Sequence, residues 1–335
     1  QLKQRIQINM TTYKDIHGTK VEVRDDDPAN PVNGQVWYNS GTLKGFKSNP
    51  AGSWATAANL NTTRYDGAVS MAGSKSSALF AGGYVSGIVA NVETWNGTAW
   101  TEIADIPAAT YAFGGTGASS TSALVFGGQN PGAGSSDKTY EWSGSSWAEG
   151  GDLNTDQRYR KGAGVQTAAL AAGGNGGSPS PSAETEQYNG SAWTEVGDMN
   201  TARTNGTMGG GASPYTAALY FGGEAPPGRT GKTELWNGSG WTEVGDMNTV
   251  RDGLGGAGTS TSGLAFGGQV PGRTVNTEVW NGSTWTEVNN LNQVRSGLSG
   301  AGASSASALA AGGTPTCAVE EWSQPVETTV SFTVS

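Results

Sequence analysis

One histidine, His17, and one cysteine, Cys317, are all the imidazole and thiol chemistry in this chain of 335 residues. A Ser-His-Asp or Cys-His nucleophile would have to recruit His17, which lies outside every repeated segment, so a surface role is expected for it. A single cysteine excludes an intrachain disulfide and a cysteine-clustered metal site. The run Asp25, Asp26, Asp27 offers carboxylates, but DDDPANP lacks the alternating spacing and glycine of a calcium loop, and a solvated turn is expected. No metal or cofactor is therefore expected. Asn96, Asn189, Asn237 and Asn281 stand in glycosylation-type Asn-Gly-Ser/Thr strings. Their regular spacing marks them as turns instead.

Cations recur with a period. Four residues after an apolar residue stand Arg64, Thr110, Gln157 (with Arg158 next to it), Arg203, Arg251 and Arg295. A second periodic slot holds Glu93, Tyr140, Glu186, Glu234, Glu278 and Glu320. The copy with Thr110 in place of arginine also has Tyr140 in place of glutamate. Joint loss implies pairing, so Arg64–Glu93, Arg203–Glu234, Arg251–Glu278 and Arg295–Glu320 are expected to be structural ion pairs. A ring of arginines holding an anion at one mouth is the competing reading. Reversing the charges at both Arg251 and Glu278 should then restore most of the stability lost by either single change.

The elements that carry these slots come from a repeat. Gly-Gly pairs end short apolar runs at Gly82, Gly127, Gly173, Gly222, Gly267 and Gly312, spaced 45, 46, 49, 45 and 45 residues apart. An aromatic follows each pair: Trp95, Trp142, Tyr188, Trp236, Trp280 and Trp322. A second tryptophan stands five residues on in the first five copies, at Trp100, Trp147, Trp193, Trp241 and Trp285. The fifth copy divides into four strands, LGGAGTS (254–260), SGLAFGG (262–268), NTEVWNG (276–282) and TWTEVNN (284–290). Its Asn-Gly step at 281–282 is the hairpin signal of a type I′ turn.

The sixth copy lacks its second tryptophan, whereas GSWATAANLNTTR (52–64) supplies an orphan one, Trp54, upstream of the first Gly-Gly pair. A strand around Trp54 that completes the unit of Trp322 closes a ring and leaves no sheet edge open. The first strand of each unit is almost all Gly, Ala and Ser, as crowding at a central axis requires. The fold expected is all-β: a six-bladed propeller of four-stranded blades over 48–323, with an extension (1–9), an arm and hairpin (10–47) and a β-prone tail (324–335). Seven blades remain open if TLKGF (42–46) seeds another sheet.

Composition limits partners. Gly is 54 of 335 residues, yet twelve tryptophans argue against disorder. A net charge of −9 disfavours nucleic acid and anionic membranes, and no apolar run is long enough to span a bilayer.

The Gly-Gly, aromatic and tryptophan markers resemble the kelch-repeat propeller over about residues 48–323, except that tryptophan mostly replaces the kelch tyrosine. Galactose-oxidase-like members of that fold would imply two His, two Tyr and a Cys around copper, which one His cannot supply. Sialidase propellers would imply an arginine triad with a Tyr nucleophile, and the arginines here come one per unit. A second resemblance covers Gly34, Trp37, Tyr38, Asn39, Leu43, Lys44, Phe46 and Trp54, which is similar to the short hairpin near the N-termini of many phage tail-fibre and virion proteins.

These resemblances imply a non-enzymatic structural protein of a tailed-phage virion, in a tail, fibre or surface appendage. Its arm would dock to other virion proteins, in several copies per particle, and its propeller would meet a partner protein or a host surface glycan or receptor. A bacterial extracellular carbohydrate-binding adhesin and a polysaccharide hydrolase or lyase are the alternatives. Binding is expected on the variable loops between second and third strands, where Arg229 and Arg273 occupy matching PGRT positions. Those loops show few aromatics, which counts against sugar stacking.

Overall fold

The computed structural model describes residues 22–26, 36–39, 42–47, 52–69, 74–176, 180–210, 216–324 and 328–332. His17, Asp27, Gly34 and the extension 1–9 lie outside them. The chain forms two compact units, 53–323 and a smaller one drawn from 1–52 and 324–335. All regular structure among the described residues is β.

The larger unit is a six-bladed β-propeller. Blade 5 shows the pattern: Gly255–Gly258, Gly263–Phe266, Thr277–Trp280 and Trp285–Glu287 pair antiparallel in that order, from the axis outwards. Blade 1 starts from a short inner strand, Ala68–Val69, and blade 2 from Gly114–Ser119. Blade 6 takes Ser299–Ser304, Ser307–Ala311 and Val319–Ser323 and borrows Ser53–Ala57 as its outer strand, with Trp54 opposite Trp322. The ring is thus closed by an N-terminal strand.

Among the described residues the propeller's apolar core is divided among its seams. Six apolar clusters fill the six seams between neighbouring blades, and the cluster of Phe80, Trp95, Trp100, Leu309 and Val319 fills the seam between blades 6 and 1. The outer tryptophans fasten these seams. Trp285 Nε1 donates to Thr233 Oγ1 of the preceding blade at 3.0 Å, Trp241 to Thr185 at 3.0 Å, Trp193 to Thr139 at 2.9 Å and Trp54 to Thr277 at 3.1 Å. Towards the axis the backbones crowd. A Cβ on Gly300 would stand 2.2 Å from the Gly256 carbonyl of the adjacent inner strand, which is why small residues fill these strands.

The Gly-Gly pairs join consecutive blades. Gly267 and Gly268 have φ of 63° and 100°, and Gly268 N–H donates to the Arg295 carbonyl of the next blade at 2.9 Å. The bond recurs around the ring, ending with Gly313 to Arg64 at 3.1 Å. A Cβ on Gly267 would lie 2.9 Å from the Arg295 oxygen. Gly267→Ala is expected to cost about 2–4 kcal/mol, from the left-handed backbone and the lost seam contact. Gly240→Ala, where nothing lies within 4 Å, should stay within about 0.5 kcal/mol. Chemical denaturation of the two variants compares them directly.

The type I′ expectation at the Asn-Gly steps is corrected. Trp280 pairs with Trp285, so the loop has four residues, and in it only Gly282 has a positive φ, 98°. Asn281 Oδ1 instead accepts the backbone N–H groups of Ser283 and Thr284, each at 2.9 Å. Asn96, Asn189 and Asn237 repeat this arrangement. The asparagine side chain, rather than a left-handed asparagine backbone, makes the turn.

In the smaller unit, Val36–Asn39 and Thr42–Lys47 form a hairpin, flanked by Glu22–Arg24 in parallel and by the tail strand Thr328–Phe332 in antiparallel pairing. TLKGF therefore belongs to this sheet and not to a seventh blade. Arm and tail, which the sequence separates by the whole propeller, share one sheet.

Candidate functional site: the mouth of the propeller axis

The segment linking each outer strand to the next inner strand builds one face of the disc. Each linker begins with a buried apolar residue: Leu60, Ile106, Leu153, Met199, Met247 or Leu291. In five of six blades the next residue is asparagine, and three further on comes the arginine slot. The linker then turns left-handed at Asp66, Ala112, Tyr159, Asn205, Gly253 and Gly297, with φ between 51° and 65° in all six. Left-handed backbone at four non-glycine residues is unusual. A belt of backbone hydrogen bonds holds it: Ala112 N–H donates to Asp66 O at 2.7 Å, Asp66 to Gly297 at 2.9 Å, Gly297 to Gly253 at 2.8 Å and Gly253 to Asn205 at 2.9 Å. This belt surrounds the axis.

The arginines do not line that mouth. Arg64, Arg203, Arg251 and Arg295 are fully buried and face glutamates of their own blades: Arg64–Glu93 at 3.0 Å, Arg203–Glu234 at 2.8 Å, Arg251–Glu278 at 3.2 Å and Arg295–Glu320 at 2.9 Å. Burial pulls all four guanidinium pKa values below the usual range while the glutamates oppose the shift; Arg251 falls to about 10. An anion from solvent cannot reach them.

Blade 3 corrects the sequence reading. The slot residue Gln157 binds Glu184 through Nε2 at 2.7 Å, and Arg158 turns to Gln129. The buried cation is Arg160, three residues past the slot, and it bonds Glu186.

The sequence reading also missed a third member of each cluster. The linker asparagine donates both its backbone N–H and its Nδ2 to the glutamate, as Asn248 does to Glu278 Oε2 at 2.7 and 3.0 Å. Its Nδ2 also reaches the outer-strand carbonyl of Trp285 at 3.0 Å. Asn61, Asn154, Asn200 and Asn292 do the same in their blades. Blade 2 has Pro107 at this position, so it lacks asparagine, arginine and glutamate together. The repeated Leu/Met-Asn step was the available signal.

Charge at the mouth comes from elsewhere. Asp66 and Lys161 both line the narrow axial space with Tyr159 and Asn205, where free volume is about 10 Å³, close to one water. Protein surrounds both groups although each keeps some contact with the channel. Desolvation raises the Asp66 pKa against the pull of Lys161, and lowers that of Lys161 against the pull of Asp66.

Of the two rim arginines, Arg229 is engaged. Its Nε bonds Asp252 of the next blade and its Nη2 donates to Gln269 Oε1 at 3.2 Å. Arg273 is exposed, with Nη2 3.4 Å from Thr314 Oγ1. Their loops are ordered rather than irregular, since Glu224–Ala225 pairs with Gly228–Arg229 and Gln269–Val270 with Gly272–Arg273.

The variable loops supply few aromatics, but the linkers bring others to the same face. Tyr65, Tyr84, Tyr111 and Tyr159 form a continuous half-exposed ledge, with centroid separations of 5.6, 5.7 and 6.5 Å. Three of these tyrosines come from linkers and only Tyr84 from a variable loop. The visible signal was the tyrosine just after the slot in RYDG and TYAF and again in QRYR.

Among the described residues no group of three or more His, Cys, Asp or Glu converges as a metal site. No family model matches the chain, and a search of curated proteins finds no match.

Proposed function

We propose that this chain is a non-enzymatic display module, a structural protein of a tailed-phage virion. Its propeller presents the tyrosine-bearing face to a partner protein or host surface, and its arm and tail anchor it among other virion proteins. The observation that carries this reading is the way the propeller is tethered. Ser53 and Ser323 pair at one edge of blade 6, so both flanking segments leave the disc there. Their strands then meet in the small sheet, Thr42–Lys47 against Thr328–Phe332. A closed propeller whose two flanking segments pair with each other in a separate sheet suits presentation. The kelch-like markers and the tail-fibre-like hairpin at Trp37, Tyr38 and Asn39 support the same reading. Antibody-gold labelling of purified phage particles should place the chain on a tail or surface appendage. Particles that carry the other structural proteins and lack this one would overturn the proposal.

A further inference from the structure

The tyrosine ledge borders a concave site whose chemistry is specific enough to name a ligand class. Between blades 6 and 1 lies a hollow of about 210 Å³ walled by Tyr65, Tyr84, Val85, Thr314 and Pro315. Val85 is 40% exposed, one of only three large apolar side chains so exposed among the described residues. Tyr65 and Thr314 also wall a second hollow of about 120 Å³ that opens beside the axial mouth, with Asp66, Asn205, Gln269 and Ser296 in its lining. One hollow is aromatic and apolar, the other is made of hydrogen-bonding groups, and two residues are common to both.

A pyranose ring has the same division: an aliphatic C–H face and an edge of hydroxyls. Tyrosine presents a ring face with a polar tip at small conformational cost, as binding surfaces require. Asp66 and Gln269 can accept from sugar hydroxyls, while Asn205 and Ser296 can also donate. Charge selects among sugars. Asp66 lines both the axial space and the adjoining hollow, the Arg229 charge is taken up by Asp252, and Lys161 lines the axial space with Asp66. The chain as a whole carries −9. Of the two PGRT arginines, only Arg273, whose Nη2 lies 3.4 Å from Thr314 Oγ1, has no carboxylate partner among the described residues and could neutralise an acidic sugar.

We infer that the Tyr65–Tyr84 hollow and the adjoining axial mouth form a binding site for a neutral saccharide. This rests on the display reading above and narrows it to one ligand class and one place. The site lies among the variable loops and takes Gln269 from one PGRT loop, but it centres on Tyr65 and Tyr84 rather than on Arg229 and Arg273.

The test is binding of the full chain to a printed array of neutral oligosaccharides (glucans, galactans, mannans and N-acetylhexosamine oligomers) beside sialylated and uronic-acid glycans, with hits measured by calorimetry. Saturable binding to a neutral class is expected, weakened about tenfold or more by Tyr84→Ala. Val85→Asp, at an exposed position where thermal melting should show an intact fold, should weaken it as well. Arg273→Ala should leave affinity unchanged. Binding confined to acidic glycans, binding unaffected by both Tyr84→Ala and Val85→Asp, or no binding at millimolar sugar would each overturn the inference. Particle labelling separates this from the display proposal: a labelled appendage with a silent array sinks the saccharide site alone, and a neutral-glycan hit with unlabelled particles sinks the virion reading alone.

Discussion

Glu278→Ala is expected to lower the unfolding free energy by about 3–5 kcal/mol, the range for removing one partner of a buried ion pair. Glu278 and Arg251 are both fully buried. The loss leaves the Arg251 guanidinium, already held down to about 10 by desolvation, without the carboxylate that opposes that shift. It also strips Asn248 N–H and Nδ2 of the acceptor they share, and these donors tie the linker to blade 5. Glu278→Gln keeps an acceptor and should cost less.

The double charge reversal, Arg251→Glu with Glu278→Arg, should not recover the loss, contrary to what the pairing pattern in the sequence suggests. A guanidinium at position 278 would face the donors of Asn248 and the Thr249 N–H, which lies 3.3 Å from Glu278 Oε1. Blade 2 offers a better rescue, since it is built with Pro107, Thr110 and Tyr140. Grafting Asn248→Pro, Arg251→Thr and Glu278→Tyr together should cost clearly less than the sum of the three single changes, read from urea midpoints. Additive losses would show that the three residues do not act as one unit.

Trp54→Ala should cost about 3–5 kcal/mol as a large-to-small core change. Its effect on the ring should exceed that of any tryptophan held within a continuous blade. Trp54 meets Phe266 edge-on at 5.0 Å and Trp322 at 5.4 Å, and its indole N–H bonds Thr277 of blade 5. Its carbonyl accepts from Asn292 Nδ2 at 3.3 Å. The strand it anchors is the only one in blade 6 that is distant in sequence, so closing the ring carries a loop-closure entropy that the other blades avoid. Hydrogen exchange should therefore show blades 6 and 1 opening first in the variant. Trp241→Ala, at the equivalent place in blade 4, should leave that seam protected at a similar cost in global stability. Equal protection across the ring in Trp54→Ala would contradict the closure role.

Much of this architecture is legible in the sequence. A period of 45 to 49 residues between Gly-Gly pairs specified the blades, because every blade solves the same local packing problem with the same residues. The missing second tryptophan after Trp322 and the orphan at Trp54 specified closure, because an incomplete four-stranded unit would expose an edge. Paired absence at Thr110 and Tyr140 pointed to the ion pairs. The Asn-Gly steps were located correctly and given the wrong turn, since one dipeptide serves both a two-residue turn and a side-chain-capped loop, and only strand register separates them.

What the tertiary structure alone decided is what converges across blades. Arg160 reaches Glu186 from outside its repeat slot, because a long side chain is placed by three-dimensional reach and not by sequence phase. The asparagines matter through bonds to glutamates 28 to 34 positions away. Tyr65, Tyr84, Tyr111 and Tyr159 are ordinary in one dimension. They become a single ledge only when left-handed linkers and a closed ring bring three blades to one mouth. Periodicity records what each blade needs to fold, and a binding face lies in the departures from it, which have no meaning until the ring sets them side by side.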